Sequence, residues 1–98
     1  MKRMIEHDAP ASGFETITVT AAAAVGLTSA SYSGKRGCFI TVEDNAIRYR
    51  YDGSDPTDTS GHLIAVGEGR RFMHPTILST LKMIGQAGGT ATVQVSYY

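Results

Sequence analysis

Alternation with a period of two runs through most of this chain, and it predicts strands rather than helices. From Gly13 onward Thr16, Thr18 and Thr20 interleave with Ile17, Val19 and Ala21, a first strand with β-branched side chains on both faces. Cys38, Ile40 and Val42 then alternate with Phe39, Thr41 and Glu43, and after Asp44-Asn45 the pattern resumes over residues 46–51. Two strands around so short a polar break predict a β-hairpin. In its second arm Ile47, Tyr49 and Tyr51 share one face and Arg48 and Arg50 the other, so one side packs while the other meets water or a partner. The strongest alternation spans residues 90–98, with Ala91, Val93, Val95 and Tyr97 on one face and Thr92, Gln94, Ser96 and Tyr98 on the other.

The intervening segments read as connections. Residues 21–24 are four alanines, about one turn of helix and too few to nucleate alone. Residues 25–34 are small and hydroxylic, a loop holding a short strand anchored by Leu27 and Tyr32. Residues 52–61 are dense in Asp, Gly, Ser and Thr around Pro56 and form a loop. Residues 62–66 return to a strand, Gly67-Glu68-Gly69 turns, and residues 70–73 form a short strand stopped at His74-Pro75. Over residues 76–84 helical and strand periods compete, which predicts a short helical turn at 76–80 followed by a strand. Gln86-Ala87-Gly88-Gly89 reads as a hairpin connection. Residues 1–12 show no apolar period and are expected to be a flexible N-terminal arm, leaving 13–98 as a single β domain. The fold class is all-β: an antiparallel β-sandwich or jelly-roll-like barrel with at most one short helical turn.

Ninety-eight residues suit one domain with one core. The 42% hydrophobic content supports folding, and the 18% charged content lies below the roughly 25% usual for soluble domains. Nine Lys+Arg balance nine Asp+Glu, so the formal charge is +0. That balance removes the positive field of a non-specific nucleic-acid binder and gives little protection against self-association. The single cysteine, Cys38, forms no internal disulfide and suits a reducing compartment. The longest small-apolar run is far shorter than a bilayer-spanning helix, so no membrane partner is expected. Lys2 and Arg3 are followed by no apolar stretch, so no signal peptide is expected and synthesis is placed in the cytoplasm.

Catalytic and metal chemistry finds little footing. Cys38, His7, His62 and His74 follow no zinc spacing, and Cys38 reads as a small buried hydrophobe. Asp52, Asp55 and Asp58 invite a calcium ion but lack the alternate acids and closing glutamate of a calcium loop, so they read as turn scaffolding. His62 and His74 have no nucleophile signature beside them, and Gly67-Glu68-Gly69 lacks the form of a phosphate loop. The expectation is no enzyme, no metal and no cofactor. Arginines on a flat strand face suit a protein interface, and the tyrosines of that strand point to the other side, which disfavours nucleic acid. The candidate interface comprises Arg48, Arg50, Asp52, Asp55, Pro56, His62, Arg70 and Arg71. The alternative is a small-ligand or carbohydrate-binding β-sandwich module that stacks its ligand on Tyr49, Tyr51, Tyr97 or Tyr98.

The stretch Ile47-Arg48-Tyr49-Arg50-Tyr51-Asp52-Gly53-Ser54-Asp55-Pro56-Thr57, followed by Gly61-His62-Leu63 and Gly67, resembles small virion proteins of tailed bacteriophages and prophages. Those proteins carry an R-Y-x-x-D-G-x-x-P-T segment before a terminal hairpin, and the likeness runs from Phe39 onward. The resemblance implies a non-enzymatic structural part of the virion, made in the bacterial host cytoplasm. A capsid decoration or cement protein, or a small head or tail component, fits that description. Its implied partners are copies of itself, with a trimer favoured, and a capsid or other virion protein.

Overall fold

The computed structural model describes residues 10–98. Eight strands, β1 (Gly13–Val19), β2 (Val25–Gly26), β3 (Cys38–Glu43), β4 (Ile47–Arg50), β5 (His62–Ile64), β6 (Gly69–Phe72), β7 (Lys82–Gly85) and β8 (Ala91–Tyr97), are joined by turns and two short helices, α1 (Ser29–Tyr32) and α2 (Pro75–Thr80). They form two four-stranded sheets, the first ordered β1-β8-β3-β6 and the second β2-β7-β4-β5. Every pairing is antiparallel. The pairs β1 with β8, β2 with β7, β3 with β6 and β4 with β5 are nested, as in one long ribbon folded between β4 and β5. Wrapping that ribbon, so that successive pairs fall alternately in the two sheets, produces a jelly roll. The fold is therefore the all-β sandwich that the alternation predicts.

The alternation also sets what lies between the sheets. Ala91, Val93, Val95 and Tyr97 of β8 and Cys38, Ile40 and Val42 of β3 face inward, against Ile47 and Tyr49 of β4, Ile64 of β5 and Met83 of β7. Leu78 and Leu81, from α2 and its end, close the core near Phe72 and Leu27. Each such fully buried side chain contributes about 1.5–3 kcal/mol. The competition over residues 76–84 resolves as expected, into a helical turn and then a strand. Pro75 sits at the start of α2, where no amide partner is lost, and His74 Nδ1 accepts from Thr76 N at 3.2 Å.

Three expectations are corrected. Residues 38–51 do not form a hairpin, because β3 and β4 lie in different sheets. Asp44 takes a positive φ of 74° at the crossing, and Asn45 Nδ2 donates to Ala46 O at 2.8 Å and to Gln86 O at 3.0 Å. Likewise Gln86-Ala87-Gly88-Gly89 is a second sheet crossing, from β7 to β8, built on a 3-10 turn over Gln86–Gly88. The two crossings lie side by side: Gln86 N donates to Ala46 O at 2.9 Å, and a Cβ on Gly85 would stand only 1.8 Å from Gly89 O. The third correction is α1, a helical turn that the featureless residues 25–34 did not announce. Ser31 N and Tyr32 N both donate to Thr28 O, and the turn lets Leu27 and Tyr32 reach the core together.

The expected N-terminal arm falls outside the described residues up to position 9. Of its last three residues, Ser12 is held: its N donates to Tyr97 O at 2.8 Å, and Lys35 Nζ donates to its hydroxyl at 3.0 Å.

Candidate functional site

The two outer faces of the sandwich differ. On the second sheet, the connection from β4 to β5 folds back over the strands. Ala87 N donates to Asp58 O at 2.9 Å, Arg48 Nη1 donates to Gly61 O at 3.1 Å, and Pro56 is buried. Ile84 stands opposite Arg48 in the β4–β7 register, on the outer face, yet is only 7% exposed. Beneath this loop Arg48 Nε is buried without a hydrogen-bond partner, as is Gln86 Oε1.

The outer face of the first sheet has no such cover. Its register aligns Phe14, Ser96, Phe39 and Arg71 in one row across all four strands. Phe14 is 63% exposed, a large value for a phenylalanine on a sheet. The Arg71 guanidinium lies 5.8 Å from the Phe39 ring centroid and 5.6 Å from that of Tyr98, a planar cation held between two aromatic faces. Met73 lies at the same end over Gly37, where only a glycine fits: a Cβ there would meet Met73 Sδ at 2.6 Å and Phe72 O at 2.5 Å. Away from this aromatic end the face turns hydroxylic, with Thr16, Thr18, Thr41, Thr92 and Gln94, and it carries Glu43 near the far end of β3. Thr16 Oγ1 donates to Gln94 Oε1 at 2.6 Å, and Thr92 Oγ1 donates to Asp44 Oδ2 at 2.8 Å, so the polar part is already ordered.

A cleft of about 280 Å³ opens where β4 ends, lined by Arg50, Tyr51, Asp52 and His62. Tyr51 is 46% exposed and stacks on buried Tyr49, centroids 6.1 Å apart and planes 23° from parallel. His62 packs 5.2 Å from Tyr49 and 6.0 Å from Tyr51, and Phe72 stands edge-on behind Tyr49 at 5.4 Å. On the rim Arg50 and Asp52 form a two-pronged pair, Nε to Oδ1 at 3.1 Å and Nη2 to Oδ2 at 2.5 Å. Asp52 raises the Arg50 pKa, and the Arg50 hydrogen bond lowers that of Asp52, so both stay charged and cancel.

The structure therefore separates residues that the sequence grouped as one candidate interface. Arg50, Asp52 and His62 meet at the cleft, Arg48 and Pro56 lie under or within the covering loop, and Asp55 is exposed on that loop. Arg70 closes the open side of the sandwich by donating from Nη2 to Leu63 O at 3.4 Å, and Arg71 alone stands on the uncovered face. Phe14, Phe39 and Tyr98, which complete that face, were passed over, although the alternation in β1, β3 and β8 already sends each of them outward. Among the tyrosines weighed for ligand stacking, Tyr49 and Tyr97 are buried, whereas Tyr51 is open.

Two buried groups belong to the frame. Cys38 is fully buried on β3, and burial pushes its thiol up to about 12. Tyr97 Oη donates to Glu15 Oε2, while Glu15 also accepts from Thr28 Oγ1 at 2.7 Å and Thr28 N at 3.2 Å. Burial first, and then the Glu15 hydrogen bond, raises the Tyr97 phenol well above its ordinary value. Among the described residues no three His, Cys, Asp or Glu side chains gather to hold a metal ion, and no helix is long and apolar enough to cross a membrane. Comparison of the chain with known protein families, with characterised proteins and with solved structures finds no match.

Proposed function

We propose that this chain is a non-enzymatic structural subunit of a tailed-bacteriophage virion. It would act as a capsid decoration or cement protein, or as a small head or tail component, through contacts with copies of itself and with a capsid or other virion protein. The observation that carries this reading is the contrast between the two outer faces: one sealed by the chain's own loop, the other presenting Phe14, Phe39, Arg71 and Tyr98 to solvent. Aromatic rings with an arginine among them are the side chains enriched at interface centres. The occupant argued for is a second copy of the chain. The face carries Arg71 and Glu43 at opposite ends, so it offers charges of both signs to a neighbour, and a formal charge of +0 imposes no long-range repulsion between copies. The motif over residues 48–57 supports the virion setting, and a closed oligomer would present several identical patches to a capsid, so that weak contacts add.

Light scattering behind size exclusion, over a range of concentrations, tests the self-association. The expected mass is that of three chains, independent of concentration, and Phe14→Ser with Arg71→Ser returns it to one chain while the far-ultraviolet spectrum is kept. Co-sedimentation with phage particles stripped of their small surface proteins tests the setting. A monomer at every concentration that also fails to sediment with the particles would overturn the proposal.

A further inference from the structure

We propose that the cleft at the end of β4 is a binding site for a neutral pyranose ring, with Tyr51 as its platform. The cleft shares no side chain with the outer face of the first sheet, so this inference stands or falls apart from the assembly reading.

The platform comes first. Tyr51 is the exposed outer member of an aromatic stack, backed by Tyr49 and flanked by His62, with Phe72 behind. A ring so supported loses little freedom when a ligand settles on it, because packing already holds it. The electron-rich face of an aromatic ring attracts the weakly positive C–H face of a sugar, which a flat apolar wall would not single out.

The polar groups decide the class of ligand. Arg50 and Asp52 pair through two parallel hydrogen bonds, which fixes both planar groups on the rim. The guanidinium still has N–H donors to offer and the carboxylate still has free lone pairs, so together they supply a donor and an acceptor a few ångströms apart. Neighbouring hydroxyls of a sugar ring, each both donor and acceptor, match that arrangement. The same pairing disfavours charged ligands: an anion would have to compete with Asp52 for Arg50, and a cation with Arg50 for Asp52. The space agrees, since about 280 Å³ falls at the lower bound of the roughly 300–1,000 Å³ typical of small-molecule sites. It accommodates one ring, and its open mouth leaves room for that ring to be the end of a longer chain.

Nuclear magnetic resonance of the full chain, labelled with ¹⁵N, provides the test. The probes are methyl α-glucopyranoside, methyl α-galactopyranoside and N-acetylglucosamine at millimolar concentration, with maltotriose as a chain-end arm and inorganic phosphate and glucuronate as charged arms. Saturable shifts centred on Tyr51 and His62 with at least one neutral pyranose are expected. Tyr51→Ala should weaken the binding at least about fivefold, and Phe14→Ser should leave it unchanged. Asp52→Asn, which frees the guanidinium, should lower sugar affinity and let phosphate bind. A response to maltotriose without one to the monosaccharides would assign the site to chain ends and keep the proposal. No response to any neutral sugar, stronger binding of phosphate or glucuronate by the unaltered chain, or undiminished binding by a folded Tyr51→Ala protein would overturn it.

Discussion

Raising the pH should unfold this domain through a side chain that never sees water in the native state. Cys38 is fully buried on β3, its register partner on β8 is Tyr97, and burial moves its thiol from 9.0 to about 12. The native state thus keeps the thiol proton over a range in which the unfolded chain has already lost it. Where the unfolded state binds fewer protons, stability falls as pH rises, by about 1.4 kcal/mol per pH unit for one group. The loss starts near pH 9, accumulates to roughly 2.7 kcal/mol by about pH 11, and levels off near pH 12, where the native thiol ionises too. Against the roughly 5–15 kcal/mol of a typical domain, that is a large fraction. The Tyr97 phenol is raised in the same direction and steepens the decline above its ordinary value of 10.0. Urea unfolding midpoints, measured under reducing conditions from neutral to strongly alkaline pH, would trace the curve. Cys38→Ala is the informative control: less stable at neutral pH because it leaves a small void, it should converge on the parent as pH rises through 9 to 11. Parallel curves for the two proteins across that window would refute the reasoning, because they would mean that the native thiol ionises as freely as the unfolded one.

Two further outcomes follow from geometry already described. Tyr97→Phe removes the donor to Glu15 and should cost about 1.5–3 kcal/mol, read as a fall in Tm of roughly 4–8 °C for each kcal/mol; an unchanged Tm would show that the hydrogen bond does not hold α1 against the first sheet. Gly85→Ala drives a Cβ into Gly89 O at the β7–β8 crossing and should cost about 3 kcal/mol or more, whereas Gly53→Ala, with open space around it but a φ of 91°, should cost only about 1 kcal/mol; equal costs in thermal melts would place the strain elsewhere.

Alternation made the strands legible because it reports which way each side chain points, and burial follows pointing. The inward sets of β3, β4 and β8 are those that the period of two selects. Alternation does not report which strand pairs with which. A two-residue break such as Asp44-Asn45 keeps the same phase whether the chain turns back beside itself or crosses to the opposite sheet, so the hairpin and the crossing look alike in sequence. What separates them here is remote: Asn45 reaches Gln86, forty-one positions away, and Gly85 passes under Gly89. The same limit governs the sites. Arg50, Asp52 and His62 were chosen from the sequence and do meet, yet the four arginines grouped by their proximity in strands end in four different settings. One is under a loop, one on the cleft rim, one across the open side and one between two rings. Strand partners decide that distribution, and no local pattern encodes them.

The order of wrapping accounts for the uneven surface. In a nested ribbon the innermost turn joins β4 to β5, both in the second sheet, and here that turn is the long segment between Arg50 and His62. Being long and tethered at Asp58 and Gly61, it lies back on its own sheet and seals Ile84 and Arg48 from solvent. The first sheet receives the outermost pair, β1 and β8, and the pair β3 and β6, whose connections lead to the other sheet. No segment among the described residues returns over its outer face. Phenylalanines at positions 14 and 39 and an arginine at 71 on such a face would be a solubility liability in a protein that works alone, and that is the physical reason to look for a neighbour there.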